Sequence, residues 1–137
     1  MPTQTVIDKY FDAFNKHDPE AVAALFAGGG TYIDAAVSSG VKGKALKDYL
    51  RGHYAAFPDA RYRLLRAIVN RDGFMACEWR FSGTNTGPFG DVPATNRAVK
   101  LPGASLLQAK GGKIAWLHGY YDRRHLFKQL GIQGATS

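Results

Sequence analysis

The fold is decided by two predicted strands and the turn between them, RYRLLRAIVNRDGFMACEWRFSGT at residues 61–84. Both halves are rich in aromatic and branched aliphatic residues, and the Arg-Asp-Gly sequence between them is typical of a tight turn. A Lys-Gly-Gly sequence divides a second such pair nearer the C-terminus. The four strands are predicted at 60–70, 74–84, 97–109 and 113–121. The segment RRHLFKQLG at 123–131 predicts a short final helix that ends at Gly131.

The chain before these strands is predicted to be mostly helical. Apolar residues recur at helical spacing, and the predicted helices lie at 5–16, 17–26 and 43–57. Asp18 is a good N-cap for the second helix and Pro19 suits its first position. The glycines at 28–30 are expected to end that helix. A short strand is predicted at 31–37, ahead of the third helix.

The order of these elements indicates one α+β domain spanning residues 1–137. Helices followed by a run of strands are typical of an antiparallel sheet with its helices gathered on one face. A chain of this length can bury a core without cross-links. Cys77 is the only cysteine, so no disulfide can form within the chain, which fits a reducing compartment such as the cytoplasm.

Composition and motifs argue against several classes of protein. The net charge is +7, but the basic residues are spread along the chain and no nucleic-acid-binding motif occurs, so a solvated basic surface is expected instead. No signal peptide is recognised, and no apolar stretch approaches the roughly 18 residues of a membrane span. We therefore predict a soluble, cytoplasmic protein. No metal-ligand spacing and no glycine-rich loop opening a helix is found, so no metal or nucleotide cofactor is predicted.

Several strings, in this order, resemble the SnoaL-like polyketide cyclases, which belong to the superfamily of ketosteroid isomerases and nuclear transport factor 2. The strings are FDAFNKHD at 11–18, KG at 42–43, AAFPDARYRL at 55–64, EWRFSGTNTGPFGDVPATNRAV at 78–99, GGKIAWLHGYYD at 111–122 and QLG at 129–131. The resemblance covers nearly the whole chain. It implies a cystatin-like cone, in which a strongly curved antiparallel sheet and three N-terminal helices enclose a deep, mostly apolar pocket, with a short helix at the C-terminus.

The resemblance also implies site residues. Asp122 occupies the position of the family's acid/base residue at the end of the last long strand. His118 and Tyr120 share a strand face with Asp122, because alternate side chains of a strand point to the same side. These three residues are therefore predicted to lie in one cavity, with Asp122 and His118 catalytic and Tyr120 binding the substrate. The alternative is that Asp122 is simply the N-cap of the final helix.

Further residues are predicted to bind the substrate. Asn85 lies in GTNTG, where the family often has a histidine, and its amide can form hydrogen bonds but cannot transfer a proton near neutral pH. The remaining candidates are apolar or aromatic residues predicted to line the cavity, namely Trp79, Phe81, Tyr32 and Leu101. Asp34 shares the face of Tyr32 and is either a second polar residue of the pocket or a surface residue at a strand end.

Together these features predict a cofactor-independent acid/base enzyme that acts on a small apolar carbonyl compound by aldol-type cyclisation or double-bond isomerisation. A non-catalytic protein that binds a small ligand, or that interacts as a dimer, is the alternative. Epoxide hydrolysis is a third reading, but the Asp–Arg–Asp arrangement it needs cannot be assembled from the spacing. A homodimer is expected, with four apolar residues on the sheet's outer face as candidates for contact: Met75, Cys77, Leu106 and Leu117.

Overall fold

The structure of the protein is a computed structural model that describes residues 5–132. The described chain folds into four helices and five strands. They are α1 (Val6–Asn15), α2 (Pro19–Ala24), β1 (Phe26–Ile33), α3 (Lys44–Ala56), β2 (Arg61–Val69), β3 (Phe74–Thr84), β4 (Ala98–Lys110), β5 (Lys113–Tyr121) and α4 (Arg123–Leu130). The α+β class is confirmed, and the four strands predicted after residue 60 lie close to their expected bounds.

The five strands form one sheet in the order β1-β5-β4-β3-β2. Strands β2 to β5 pair antiparallel through successive neighbours, whereas β1 pairs parallel to β5. The sheet is therefore mixed rather than wholly antiparallel. The difference lies in how β1 is connected: no tight hairpin joins it to β5, so nothing in the local sequence fixes its direction.

The glycines at 28–30 lie within β1 and do not end a helix, so that prediction was wrong. Helix α2 begins as predicted, with the Asp18 side chain accepting a hydrogen bond from the Ala21 amide, but it ends at Ala24. The β1–β5 register is irregular between Phe26 and Thr31. A Cβ at position 30 would lie 2.6 Å from the carbonyl oxygen of Ile114. Glycine at this position allows the backbones of β1 and β5 to approach closely. In the sequence alone, a glycine with this role in a strand looks the same as one that ends a helix.

The sheet has an inner face, which packs against the helices, and an outer face. Along β3, buried Met75, Cys77, Trp79 and Phe81 alternate with more exposed residues. Met75, Cys77 and Leu117 therefore belong to the core, which corrects their prediction as dimer contacts. Of the four candidates, Leu106 alone lies on the outer face, where it pairs with His118 of β5.

Strand β5 leads directly into α4, and this junction lies at one end of the inner face of the sheet. Asp122 is the N-cap of α4, and its side chain accepts a hydrogen bond from the His125 amide at 3.0 Å. Gly131 ends the helix in the left-handed conformation, as predicted (φ 73°). Leu126 and Leu130 of α4 are buried, so the helix packs over the open end of the inner face.

Candidate functional site

A cavity of about 930 Å³ lies between the inner face of the sheet and the helices. This volume is in the range of pockets that bind small molecules. Its wall is rich in rings, which are contributed by α1, β1, α3, β2, β3, β5, α4 and the loops. The ring-bearing residues that line it are Tyr10, Phe11, Phe14, Tyr32, Tyr49, His53, Phe57, Tyr62, Trp79, Phe81, Phe89, Tyr121 and Phe127.

Asp34 places a carboxylate in this aromatic wall. It follows the last residue of β1 and is only 4% exposed. Its Oδ2 accepts hydrogen bonds from the hydroxyls of Tyr32 and Tyr49, each at 2.7 Å. Its Oδ1 accepts the backbone amides of Ala36 at 2.7 Å and Val37 at 3.2 Å. The four donors supply the hydrogen bonds that a buried carboxylate needs in place of water.

The two tyrosines bound to Asp34 are held in the protonated form. Burial raises the pKa of Tyr32 well above its usual value, and the negative charge of Asp34 raises it further. Burial likewise raises the pKa of Tyr49, with the Asp34 charge and hydrogen bond adding to the effect. Both phenols are therefore hydrogen-bond donors throughout the physiological pH range.

Further phenols line the same cavity. Burial is the main cause that raises the pKa of Tyr10, Tyr62 and Tyr121. Within residues 5–132 no hydrogen bond joins the hydroxyls of these three tyrosines to another side chain or to the backbone. Their hydroxyls are therefore available to a bound ligand.

Gly119 of β5 lies against Asp34 and gives the cavity its room at this point. A Cβ at position 119 would lie 3.8 Å from the Cβ of Asp34 and 3.5 Å from Oγ of Ser105. A longer side chain at this position would occupy cavity space beside Asp34. Ser105 in turn accepts a hydrogen bond from the indole N–H of Trp79 at 3.0 Å, which fixes the indole ring in the cavity wall.

His53 of α3 is also a titratable group in the wall. Its ring lies among those of Phe14, Tyr62 and Phe81, with centroids 5.5, 6.2 and 5.5 Å away. Nε2 is buried and has no hydrogen-bond partner within residues 5–132. Burial lowers the pKa of His53 to about 4, so the ring is neutral at pH 7. It supplies no positive charge to balance Asp34.

Four of the residues predicted to bind the substrate line this cavity: Trp79, Phe81, Tyr32 and Leu101. Their position is as predicted, while their contact with a ligand stays a prediction. Asn85 does not reach the cavity. It is fully buried, donates hydrogen bonds to the carbonyls of Ala56 and Gly87, and accepts them from the amide and hydroxyl of Thr95. Its amide cross-links the loop that joins β3 to β4.

The prediction that His118, Tyr120 and Asp122 share one cavity was wrong. His118 and Tyr120 do share a strand face, but it is the outer one, where Tyr120 is 48% exposed and its hydroxyl lies 3.0 Å from Nδ1 of His118. The inner face of β5 carries Leu117, Gly119 and Tyr121 instead. Asp122 lies beyond the strand as the cap of α4.

The sequence reasoning missed most polar groups of the cavity. Asp34 was recognised only as one of two alternatives, and its link to Tyr49 spans 15 positions along the chain. His53 lies on the third predicted helix, and its position there alone indicates a surface residue and not a member of the cavity wall. Tyr121 lies in the segment GGKIAWLHGYYD, but on the opposite strand face from His118 and Tyr120. One signal in the sequence could have found this site. Tyr32 and Asp34 lie on the same face of a strand, and if that face is buried, the hydrogen-bond donor that Asp34 needs must come from a helix packed against it.

Within residues 5–132 no group of three or more histidines, cysteines, aspartates or glutamates is arranged to hold a metal ion. No helix among the described residues is long and apolar enough to cross a membrane.

The fold is shared with several solved structures. One is a proposed SnoaL-like polyketide cyclase from Jannaschia sp. CCS1, with a TM-score of 0.82 and 16% identity over 94% of this chain and 91% of that one. A second, from Catenulispora acidiphila, has a ketosteroid isomerase-like fold and was solved with trimethylamine; its TM-score is 0.81, with 22% identity over 96% of this chain and 95% of the other.

A third similar structure is IdmH from Streptomyces antibioticus, a proposed polyketide cyclase, with a TM-score of 0.77 and 21% identity over 93% of this chain and 96% of that one. At these identities the likeness shows the fold alone. A search of curated proteins found no match. The model of the SnoaL-like domain matches residues 7–117, which is most of the chain, and the protein belongs to this family.

Proposed function

We propose that the protein is a cofactor-independent acid/base enzyme that removes a proton next to the carbonyl group of a small apolar compound. One observation carries the proposal: a buried carboxylate, Asp34, faces an aromatic cavity and receives two phenolic hydroxyls on one oxygen. The proposal places the base at Asp34 and not at Asp122, whose carboxylate caps α4.

The hydrogen bonds of Asp34 suggest how the base becomes available. At rest Oδ2 accepts both Tyr32 and Tyr49. A ligand carbonyl that draws one hydroxyl away frees a lone pair of Oδ2 and gains a donor at the same time. Tyr49 is the better candidate to move, because it is less buried than Tyr32. One event then provides both the base and the group that stabilises the enolate oxygen.

The proposed reaction needs no other reagent. The carbon-bound proton passes to Oδ2 of Asp34, and the electron pair of the broken C–H bond moves into the enolate. The enolate carbon can then attack a second carbonyl group, which closes a ring and leaves an alkoxide that takes the proton back from Asp34. Alternatively, Asp34 can return the proton to a different carbon, which moves a double bond. A positioned general base of this kind contributes about 10²–10⁴-fold in rate.

The cavity wall supports an apolar substrate. Its aromatic rings would surround a bound ligand with apolar surface, and an apolar surrounding strengthens the hydrogen bonds between phenols and a developing negative charge. The hydroxyls of Tyr62 and Tyr121 offer further donors for a second oxygen of the ligand. Two of the similar structures are proposed polyketide cyclases, which agrees with ring closure as the reaction.

A non-catalytic ligand-binding protein is the second candidate, and a specific observation favours it. Asp34 accepts four hydrogen bonds, and all four donors belong to the protein itself. The resting carboxylate therefore resembles one whose role is structural. One of the similar structures was solved with trimethylamine, so this fold can hold a small molecule in a crystal. Under this reading the phenols stay on Asp34 when a ligand enters.

Proton exchange separates the two candidates without knowledge of the natural substrate. We would incubate the protein with 2-tetralone, a small apolar ketone, in D₂O and follow loss of its α-proton signals by NMR. The enzyme reading predicts exchange faster than in buffer that contains the same concentration of an unrelated protein. Saturable binding of 2-tetralone with no acceleration would support the non-catalytic reading.

We also propose a homodimer formed through part of the sheet's outer face. This outer patch consists of Ala104, Leu106, Trp116, His118 and Tyr120 on β4 and β5. The residues carry no carboxylate or fixed positive charge, and several are partly exposed although apolar. Apolar, poorly charged surface of this kind is typical of subunit contacts.

A further inference from the structure

We infer that a basic groove at the other end of the outer face binds the phosphate group of a small molecule. The groove has a volume of about 320 Å³ and crosses β2, β3 and β4. Its four cationic side chains are Arg61, Arg63, Arg80 and Lys100, and Ser82 and Pro102 complete its outer lining. This groove is separate from the aromatic cavity, because alternate residues of these strands point to opposite sides of the sheet.

Strand register brings the four cations together. Arg63 of β2 lies directly opposite Arg80 of β3. In the next row, Arg61 lies opposite Ser82, which in turn lies opposite Lys100 of β4. Side chains directly opposite in a sheet have their Cβ atoms about 5 Å apart. Four positive charges therefore converge over two adjacent rows.

Among the described residues, Arg80 alone of these four cations has a carboxylate within ion-pair distance. Within residues 5–132 no ion pair includes Arg61, Arg63 or Lys100. Glu78 is the nearest acid in the register, and it pairs with Arg66 at 3.0 Å and reaches Arg80 only at 3.8 Å. Like charges directly opposite in a sheet are destabilising. A bound anion would remove that repulsion, which is the main reason to assign a ligand to the groove.

The chemistry of the lining points to a phosphate. Guanidinium groups bind phosphate through two parallel hydrogen bonds, and an ammonium group adds a compact charge. Arg80 is already oriented by a hydrogen bond to the carbonyl oxygen of Trp79 at 3.2 Å. The Ser82 hydroxyl is exposed between Arg61 and Lys100 and can donate to a phosphate oxygen.

The lining favours a small molecule over a nucleic acid. Single-stranded nucleic acid is bound by basic grooves that also present aromatic rings to the bases. Phe81 is the one aromatic residue among those that line the groove. Its ring faces inward, 5.3 Å from the ring of Phe57 and 5.0 Å from that of Tyr62. Within residues 5–132, therefore, no ring lines the outer side of this groove where a base could stack.

Calorimetry with inorganic pyrophosphate tests the inference on the full chain. We would compare the unchanged protein with Arg63→Met, Lys100→Met and Arg71→Met, each of which removes one positive charge. Arg71 lies in the turn between β2 and β3, outside the groove, and is the matched control. We expect one site per chain, at least about 10-fold weaker binding in the two groove variants, and less than about 2-fold change in the control.

Two further measurements sharpen the result. Pyrophosphate should raise the Tm of the unchanged protein and of Arg71→Met, but much less that of Arg63→Met. Equal weakening in all three variants would show attraction by net charge alone and would overturn the inference. So would a single-stranded oligonucleotide that binds here and is not displaced by pyrophosphate. The aromatic cavity plays no part in these measurements, so their outcome is independent of the proposed enzymatic function.

Discussion

The hydroxyl of Tyr49 on α3 donates a hydrogen bond to Oδ2 of Asp34, 2.7 Å away at the end of β1. This contact joins a helix to the edge strand of the sheet across the cavity. It places a donor beside the Asp34 carboxylate, which is buried in the cavity wall. The same two residues are thus tied to the stability of the fold and to the proposed chemistry.

Tyr49→Phe separates those two roles. The variant removes one donor from a buried carboxylate, and hydrogen bonds to charged groups contribute about 1.5–3 kcal/mol to the free energy of unfolding. We expect a loss in that range by chemical denaturation, with slower exchange of 2-tetralone protons. Tyr120→Phe removes a hydroxyl on the outer face and serves as the control. Exchange at the unchanged rate in Tyr49→Phe would show that this phenol does not assist the reaction.

Because His53 is buried, we expect the protein to lose stability in mild acid. Burial lowers the pKa of this ring in the folded protein to about 4, against 6.5 for an unperturbed histidine. Between these values the unfolded chain binds a proton that the folded protein does not, so the free energy of unfolding falls as pH drops from about 6.5 towards 4. The full effect of this residue is up to about 3 kcal/mol.

Denaturation of His53→Phe across this pH range is the corresponding measurement. The variant keeps an aromatic ring but removes the titrating group, so its stability should depend less on pH than that of the unchanged protein. His125→Gln, altered at an exposed position of α4, should keep the original pH dependence. Parallel curves for the unchanged protein and His53→Phe would contradict the assignment.

Gly103 of β4 is predicted to be required by the indole of Trp79. A Cβ at position 103 would overlap the indole ring, which is fixed by its hydrogen bond to Ser105. We expect Gly103→Ala to lower the free energy of unfolding by about 1–3 kcal/mol, because a packed core resists added volume. Gly28→Ala is the control, since a Cβ there meets no atom within 4 Å. Equal stability of the two variants would show that Trp79 can move aside.

The proposed dimer makes a prediction for the outer patch. Leu106→Glu places a carboxylate at its centre, and an unpaired charge buried between subunits is strongly unfavourable. Light scattering after size exclusion should show a dimer for the unchanged protein and a monomer for Leu106→Glu. Val69→Glu alters a half-exposed apolar residue of the edge strand β2 that pairs with the inward-facing Met75, so it lies off the outer face and should leave the dimer intact. A monomeric unchanged protein at micromolar concentration would refute the dimer.

Local sequence patterns were sufficient for most of the fold, because helices and strands repeat with different periods. They were insufficient to show which face of β5 points towards the cavity. His118 and Tyr120 were placed correctly on one strand face, but only pairing with Leu106 and Ala104 of β4 shows that this is the outer face. The glycines at 28–30 have two structural uses, and the choice between them depends on the carbonyl of Ile114, far along the chain.

The candidate site was harder to predict than the fold, again because it depends on contacts between residues that are far apart in the sequence. The aromatic wall could be anticipated from Trp79, Phe81, Tyr32 and Leu101, since large apolar residues are normally buried. The polar groups depend on long-range contacts. Asp34 is buried because Tyr49, on a separate helix, reaches it. Without that contact, an aspartate at the end of a strand is expected to be exposed to solvent.

The central claim is that Asp34, and not Asp122, is the base. The most direct test compares Asp34→Asn and Asp122→Asn for exchange of 2-tetralone α-protons into D₂O, with circular dichroism to verify that each variant is folded. Asn keeps the shape of both residues and can still cap a helix. We predict that exchange falls by about 10²-fold or more in folded Asp34→Asn and stays within about 2-fold in Asp122→Asn. Undiminished exchange in Asp34→Asn, or loss of exchange in Asp122→Asn alone, would contradict the claim.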